Sequence, residues 1–292
     1  MIDKVKEFYV IDINEKIEHD EGIIFFLDGE KFYFVKHDFD NSYLLELNDL
    51  VLQLKRKNIY LHDFIFNKYG NIDSDGYCLM KLNCFDDVVT EYELKKFYSN
   101  YELSEEVYKN FVAIDKLWYK KIDYIEYQLS ELSDNSVVNY SCDYYIGISE
   151  MLLQFLSNFL IEKPDRYLGL CHRRLKDFKT IEFYNPLNVV FDVYVRDLAL
   201  YVKSSKDYEY LENYLNQGNI STYLYYYLFV RLLLPSEYFN LLEEVLVDKK
   251  DNYQLIELIN SVGEYEEFIL NVCGIFKINL FYWIKKVIKL ER

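Results

Sequence analysis

The chain has 292 residues, with 33 Lys and Arg against 49 Asp and Glu, giving a formal charge of −16 at pH 7. That acidity speaks against nucleic acid as a partner, because phosphate binding rests on neutralisation by Lys and Arg. Nine Gly and three Pro are too few for a β-sandwich, a propeller or a disordered linker protein, while the length suffices for two lobes with sizeable cores.

The N-terminal stretch MIDKVKEFYVIDINEK is charged at Asp3, Lys4, Lys6 and Glu7 and has no apolar core of the signal-peptide kind. The longest apolar run, Tyr223 to Val230, falls well short of the roughly 20 residues needed to cross a bilayer. A cytoplasmic chain without a transmembrane segment is therefore expected. Five cysteines form an odd set without repeated spacing, which reads as buried thiols in a reducing compartment, and no CxxC-like pair suggests zinc. The 31 Tyr and 21 Phe against 2 Trp reflect AT-rich codon bias as much as a binding surface.

In chain order, residues 1–84 read as a β-rich lobe with one helix. Gly22 to Phe39 gives two strands joined at Asp28-Gly29, a strong hairpin signal. Leu47, Leu50, Val51 and Leu54 then mark a helix closed by Lys55-Arg56-Lys57. Short strands follow at Phe64–Asn67 and Tyr77–Leu82. Residues 85–292 read as a helical lobe. One apolar stripe runs Val107, Phe111, Ile114, Trp118, Ile122, Ile125, Leu129 and Leu132, and a second helix covers Tyr144–Phe159. Thr180–Tyr184 and Val189–Phe191 suggest a short β-hairpin near 180–192. Helices are then expected at about 194–204, 207–216, 221–233, 236–247, 252–270 and 275–290. The fold class is thus α+β: a bilobal, protein-kinase-like order of a small antiparallel sheet lobe with one helix and a larger helical lobe. Topology of this kind carries fold and not function.

The segments DKLWYKKIDYIEYQL, SCDYYIGISEMLLQFL, LCHRRL, FYNPLNVVFDVYVRDLALYVK and RLLLPSEYF occur in that order between residues 110 and 245. Together they resemble the spore-coat kinase-like proteins of the CotS/YutH type, in the aminoglycoside-phosphotransferase branch of the kinase-like fold. The first 85 residues match only as a pattern of strands and helix. The resemblance implies a spore-forming source and a place in the cytoplasm or the spore coat, with spore-coat components among the protein partners. It leaves the oligomeric state open.

Phosphoryl transfer needs a lysine on the phosphates, a carboxylate to hold it, a base for the acceptor hydroxyl and ligands for Mg²⁺. Lys36, in the strand FYFVK, sits where such families place the phosphate lysine, with Glu46 as the obvious partner; the alternative is a strand-end surface lysine and a solvated helix residue. The loop that should cover the phosphates is EKIEHDEG, whose single glycine lies among Glu15, Glu18, Asp20 and Glu21. Such a loop repels phosphate instead of closing bare N–H groups upon it.

Active relatives carry a His-Gly-Asp-type catalytic loop, with a metal-binding Asn five residues after the Asp. This chain has His172-Arg173-Arg174, with Lys179 at the Asn position. A guanidinium stays protonated at neutral pH and cannot act as a general base, and an ammonium places positive charge where Mg²⁺ would sit. Asp192, twenty residues after His172, matches the second metal-binding Asp or, equally, a helix-capping Asp. Asp197 reads as structural, and Arg196 as the partner of a carboxylate.

Arg173, Arg174 and Lys179 with Lys36 could form a basic pocket, or could neutralise Asp165, Asp177, Glu182 and Asp192. His19, His37 and His62 read as surface residues. The helix Thr222–Leu233 carries Tyr223, Tyr225, Tyr226 and Tyr227, which cannot share one face, so exposed phenol and a contact surface are expected there. The apolar, lysine-bearing C-terminal stretch reads as a helix packed on its own domain, with a membrane or partner surface as the alternative. The leading reading is a catalytically degenerate kinase-like protein, with no catalytic residues, no metal and no required cofactor, acting as a binding or structural module. Its rivals are an active small-molecule phosphotransferase using ATP and Mg²⁺, and a helical adaptor with a closed cleft.

Overall fold

The computed structural model describes residues 1–13, 15–19, 22–84, 88–98, 114–131, 136–159, 167–173, 175, 178–218, 220–247, 251–282 and 284. The chain forms two compact units, one of residues 1–102 with 170–191, the other of residues 103–169 with 192–292.

In the first unit a short helix α1 (Ile2–Tyr9), not foreseen from the sequence, precedes a five-stranded antiparallel sheet. Its strands are β1 (Lys16–His19), β2 (Gly22–Leu27), β3 (Glu30–Lys36), β4 (Asp63–Ile65) and β5 (Tyr77–Lys81), in the order β1-β2-β3-β5-β4. The β2–β3 hairpin closes as expected at Asp28-Gly29, where both residues have positive φ (52° and 81°). Turns of that hand match the twist of the flanking strands. Half of the segment expected to be a phosphate-covering loop is instead β1, paired with β2 from Lys16↔Phe25 to His19↔Gly22, and Asp20-Glu21 lie outside the described residues.

Helix α2 (Asn41–Arg56) begins where the Asp40 carboxylate accepts the Tyr43 N–H at 2.8 Å and the Ser42 hydroxyl at 2.6 Å. It buries Leu44, Leu47, Leu50, Val51 and Leu54, and its basic last turn suits the helix dipole. Helix α3 (Glu91–Tyr98) opens with a reciprocal cap: the Thr90 N–H donates to Glu93 Oε2 at 2.8 Å and the Glu93 N–H to Thr90 Oγ1 at 3.3 Å.

The second unit is helical, beginning with α4 (Ile114–Glu131) and α5 (Ser136–Ser157). Val107, Phe111 and Leu132 of the expected apolar stripe lie outside the described residues, while Ile114, Trp118, Ile122 and Ile125 are buried. Strand β7 (Val189–Val193), most of it in the first unit, pairs not with Thr180–Tyr184 as expected but with β6 (Leu168–His172). Between them, Thr180–Tyr184 is no strand: it holds a single helical turn, α6 (Thr180–Phe183), followed by a 3₁₀ turn at Pro186–Asn188. There Asn185 caps the Leu187 N–H at 3.0 Å and Pro186 supplies the fixed φ that starts the turn.

The remaining helices are α7 (Arg196–Ser205), α8 (Tyr208–Asn216), α9 (Thr222–Leu233), α10 (Ser236–Leu246), α11 (Tyr253–Asn260) and α12 (Val262–Phe276). Two helices differ from expectation. The single helix expected over 252–270 is divided at Ser261, and α12 ends at Lys277 in the left-handed conformation (φ 53°), so no helix starts at 275. Residues 283 and 285–290 of that expected helix lie outside the described residues. Helix α9 is the centre of the second core: every residue from Tyr223 to Leu233 is buried or half-buried. Apolar character on all sides is the mark of a fully surrounded helix. The exposed tyrosines expected on α9 are therefore absent; Tyr225 and Tyr226 pack on the core, and the Tyr225 hydroxyl donates to the Phe276 carbonyl at 2.7 Å.

The histidines also depart from the surface reading. His62 is fully buried, with Nε2 donating to the Ile181 carbonyl at 3.1 Å and Nδ1 accepting the Asn83 N–H at 3.2 Å. His37 is buried beside Asp73, and His19 is half-buried with Nδ1 3.2 Å from the Tyr33 hydroxyl. Burial pushes the His62 pKa down to about 4. A histidine held neutral in this way stabilises fully above its unfolded pKa of about 6.5, and its contribution is lost as pH falls towards 4. Chemical unfolding measured between pH 7.5 and 4 should therefore show a decline of about 3 kcal/mol from this residue. A His62→Gln variant, less stable at pH 7.5, should lack that part of the slope; an unchanged slope would contradict the assignment.

Candidate functional site

Lys36 closes β3, with Tyr77 as its cross-strand partner, and its side chain is exposed. Glu46 is exposed as well, because α2 turns Leu44, Leu47 and Leu50 inward and leaves position 46 to solvent. Among the described residues no ion pair joins the two, so the expected partnership is not formed.

His172, at the end of β6, is completely buried. Its Nε2–H donates to the Phe183 carbonyl at 2.7 Å, and its ring lies against Phe97 and Phe183 with centroids 4.6 and 4.4 Å away. These contacts fix the imidazole as a strut for the α6 turn. Arg173 follows directly and is exposed. Its backbone N–H bonds the Asn188 carbonyl at 2.8 Å. Its guanidinium lies 4.8 Å from the Phe39 ring centroid and donates to the Tyr43 hydroxyl at 3.2 Å. A guanidinium over an aromatic face is a favourable cation–π contact. Lys179 is exposed at the N-cap of α6, its backbone bridged to Val88. Arg174 and Asp177 lie outside the described residues, so the expected basic pocket is seen only as the exposed Lys36, Arg173 and Lys179.

Asp192 belongs to the second unit and is 7 % exposed. Its Oδ1 accepts the Val193 N–H at 2.7 Å and the Tyr227 hydroxyl at 2.8 Å; its Oδ2 accepts Arg196 Nη1 at 2.5 Å. Burial pushes the carboxyl up, but the positive charges of Arg231 and Arg196 outweigh that push and hold it below the ordinary carboxylate range. The same burial, with the Asp192 charge adding to it, drives the Tyr227 phenol well above its usual value, so the phenol is a permanent donor. Asp197 is also fully buried, in the first turn of α7.

The sequence reading assigned Arg196 a carboxylate partner, and Asp192 is that partner. It missed Tyr227 and Arg231. Their signal was present: a lone arginine in the apolar run TYLYYYLFVRLL, with a tyrosine one turn before it, requires a buried acid opposite.

Whether this set fits Mg²⁺ can be judged from its donors. Both Asp192 oxygens already accept charge-assisted or phenolic hydrogen bonds, and two guanidinium charges share the cluster. Mg²⁺ seeks a carboxylate free to coordinate and is repelled by neighbouring cations. Asp192 in this arrangement does not fit the ion. Among the described residues no group of three or more His, Cys, Asp or Glu gathers to hold a metal. Among the same residues no helix is long and apolar enough to cross a membrane.

Comparison with known proteins agrees with this fold. The Bacillus subtilis endospore coat-associated protein YutH is 27 % identical over 182 residues, which cover 52 % of this chain and 53 % of that protein; the match thus spans about half the length of the relative. Among solved structures, an aminoglycoside phosphotransferase from Alicyclobacillus acidocaldarius superposes with a TM-score of 0.63 at 10 % identity, over 96 % of this chain and 95 % of that one. A spectinomycin phosphotransferase in complex with ADP and spectinomycin gives 0.56 at 14 %, over 94 % and 96 %. The choline kinase LicA from Streptococcus pneumoniae gives 0.55 at 11 %, over 93 % and 97 %. At such identities the likeness establishes the protein-kinase-like fold. The sequence profile described as spore coat putative kinase YutH matches residues 2–272, and the chain belongs to that family of kinase-like spore coat proteins.

Proposed function

We propose that this protein is a catalytically degenerate kinase-like protein that serves the spore coat as a binding or structural module. The observation that carries the reading is the Asp192 carboxylate, buried and committed to Arg196, Arg231, Tyr227 and the Val193 N–H. A metal-binding aspartate must keep lone pairs available to the ion; this one uses them to hold β7, α7 and α9 together. The catalytic loop supports the same reading, since His172 is a buried strut and the sequence has Arg174 and Lys179 at the positions where the resemblance implies a base and a metal-binding carboxamide. Loss of a positioned base alone costs about 10²–10⁴ in rate. By analogy with its relative, the partners are spore-coat components, and the cytoplasm or the spore coat is its place of residence. Lys36 and Glu46, being exposed, are available to a protein partner as readily as to a nucleotide.

Thermal unfolding with ATP, with and without Mg²⁺, tests the proposal alongside an assay of ATP turnover. A ligand present at 100 times its Kd stabilises its site by about 2.7 kcal/mol, a readily visible shift. The expected result is no Mg²⁺-dependent shift and no turnover. Metal-dependent turnover that is lost in a folded Asp192→Asn variant would overturn the proposal in favour of an active phosphotransferase. Stabilisation by ATP without turnover keeps the binding module; no stabilisation at all favours the adaptor with a closed cleft.

The structural use of Asp192 makes a separate prediction. Asp192→Asn leaves two guanidinium groups facing a neutral amide in a buried setting, and removal of one partner of such a cluster costs about 3–5 kcal/mol. Tyr227→Phe removes one hydrogen bond to a charged acceptor and should cost about 1.5–3 kcal/mol. Denaturant midpoints of the two variants, measured at constant slope, should fall in that order.

A further inference from the structure

Strand β1 stands at one end of the sheet order β1-β2-β3-β5-β4. Among the described residues no backbone bond reaches Lys16–His19 other than those to β2. Lys16, Ile17 and Glu18 are all exposed. The hydrogen-bond parity of the sheet tells which of their backbone groups are open. The Leu82 N–H donates to the Lys31 carbonyl at 2.9 Å and the His37 N–H to the Gly76 carbonyl at 3.0 Å, so the odd residues of β3 face β5. Phe32 and Phe34 then face β2 and bond their partners Phe25 and Ile23. That leaves Gly22 and Ile24 to face β1, where their partners are His19 and Ile17. Lys16 and Glu18 therefore turn their N–H and C=O groups away from the sheet.

An open edge is a template for another strand, and a lysine on it is a usual guard against one. Here the guard cancels itself. Between two antiparallel copies of β1, the parity admits Lys16 opposite Lys16, Glu18 opposite Glu18, or Lys16 opposite Glu18. The first two set like charges against each other, which is destabilising, and the third sets opposite charges together twice. We propose that two copies of this chain join antiparallel through β1, about a two-fold axis at Ile17, with Lys16 of each opposite Glu18 of the other. The contact is isologous and closed. Each facing pair exchanges both backbone bonds, and each ion, already paired within its own chain, gains a second counter-charge. Ile17, 48 % exposed, meets its own copy at the site between those pairs, where side chains lie closest. Glu15 comes opposite His19 of the second copy, which continues the complementarity. The sheet then runs unbroken across both copies. So short a seam makes a weak dimer that depends on concentration. It rests on β1 alone and holds whether or not the protein binds a nucleotide.

Sedimentation velocity of the full chain over a concentration series tests the pairing. The series is run in 0.15 M salt, which screens the charge of −16 on each copy beyond about 8 Å. A monomer–dimer equilibrium is expected. Lys16→Glu and Glu18→Lys each set like charges opposite one another at both pairs, and each should raise the dimer Kd about tenfold or more. An equimolar mixture of the two variants restores opposite charges at every pair and should dimerise as well as the parent chain. A chain carrying both substitutions should recover in the same way. Recovery on mixing also separates a lost contact from a damaged fold, since a misfolded chain does not regain affinity from its counterpart. A monomer at every concentration, which leaves the edge to a foreign strand, a dimer that either single variant leaves intact, or variants that fail to recover on mixing would each overturn the proposal.

Discussion

A carboxylate sealed among apolar residues is costly, and the second unit depends on how the cost of Asp192 is offset. Transfer of an ionised group from water is tolerable only when its lone pairs are bonded and its charge is opposed. Here the two oxygens take a backbone N–H, a phenol and a guanidinium, with a second guanidinium adding its field. The partners come from β7, α7 and α9, so one polar cluster fixes three elements that apolar contact alone would leave free to slide. Tyr227 itself belongs to the buried apolar core of this unit, with Tyr223, Leu224, Leu228 and Phe229.

The first unit solves a related problem with histidine donors. A helix of one turn, such as α6, has almost no internal hydrogen bonds, and its carbonyls need donors from elsewhere. Two imidazoles supply them: His62 reaches Ile181 and His172 reaches Phe183, while the Tyr184 hydroxyl ties the same turn to Glu93 at 2.6 Å. Each ring is desolvated, and a carbonyl acceptor asks for an N–H without asking for a charge. Burial lowers the His62 pKa and outweighs the Ile181 carbonyl bond, which raises it. The residues that read as surface or catalytic histidines are therefore struts of the segment between β6 and β7.

Much of the architecture could be read from the chain because it rests on local rules. The Asp28-Gly29 turn, the inward face of α2 and the restart of helix at Pro235-Ser236 each need only neighbouring residues. What escaped notice depends on contacts remote in sequence. Thr180–Tyr184 has the composition of a strand, yet β7 finds its partner in β6 some twenty residues earlier, and the freed segment coils. Four tyrosines on α9 looked impossible to bury, and were buried because neighbouring helices surround α9, with α5, α7 and α12 all packing against it. At the candidate site a carboxylate partner for Arg196 was expected from the sequence, though not that it would be Asp192. The contribution of Tyr227 and Arg231, 35 and 39 residues away, was not.

The placement of charge connects these observations. An acidic chain with 49 carboxylates could have left its cations to pair on the surface, where such pairs contribute little. Instead Arg196 and Arg231 are drawn to the carboxylate at the position where the kinase-like resemblance implies a metal ligand. On the proposed reading, substituting an internal guanidinium for an external cation makes the fold of the second unit independent of any bound nucleotide.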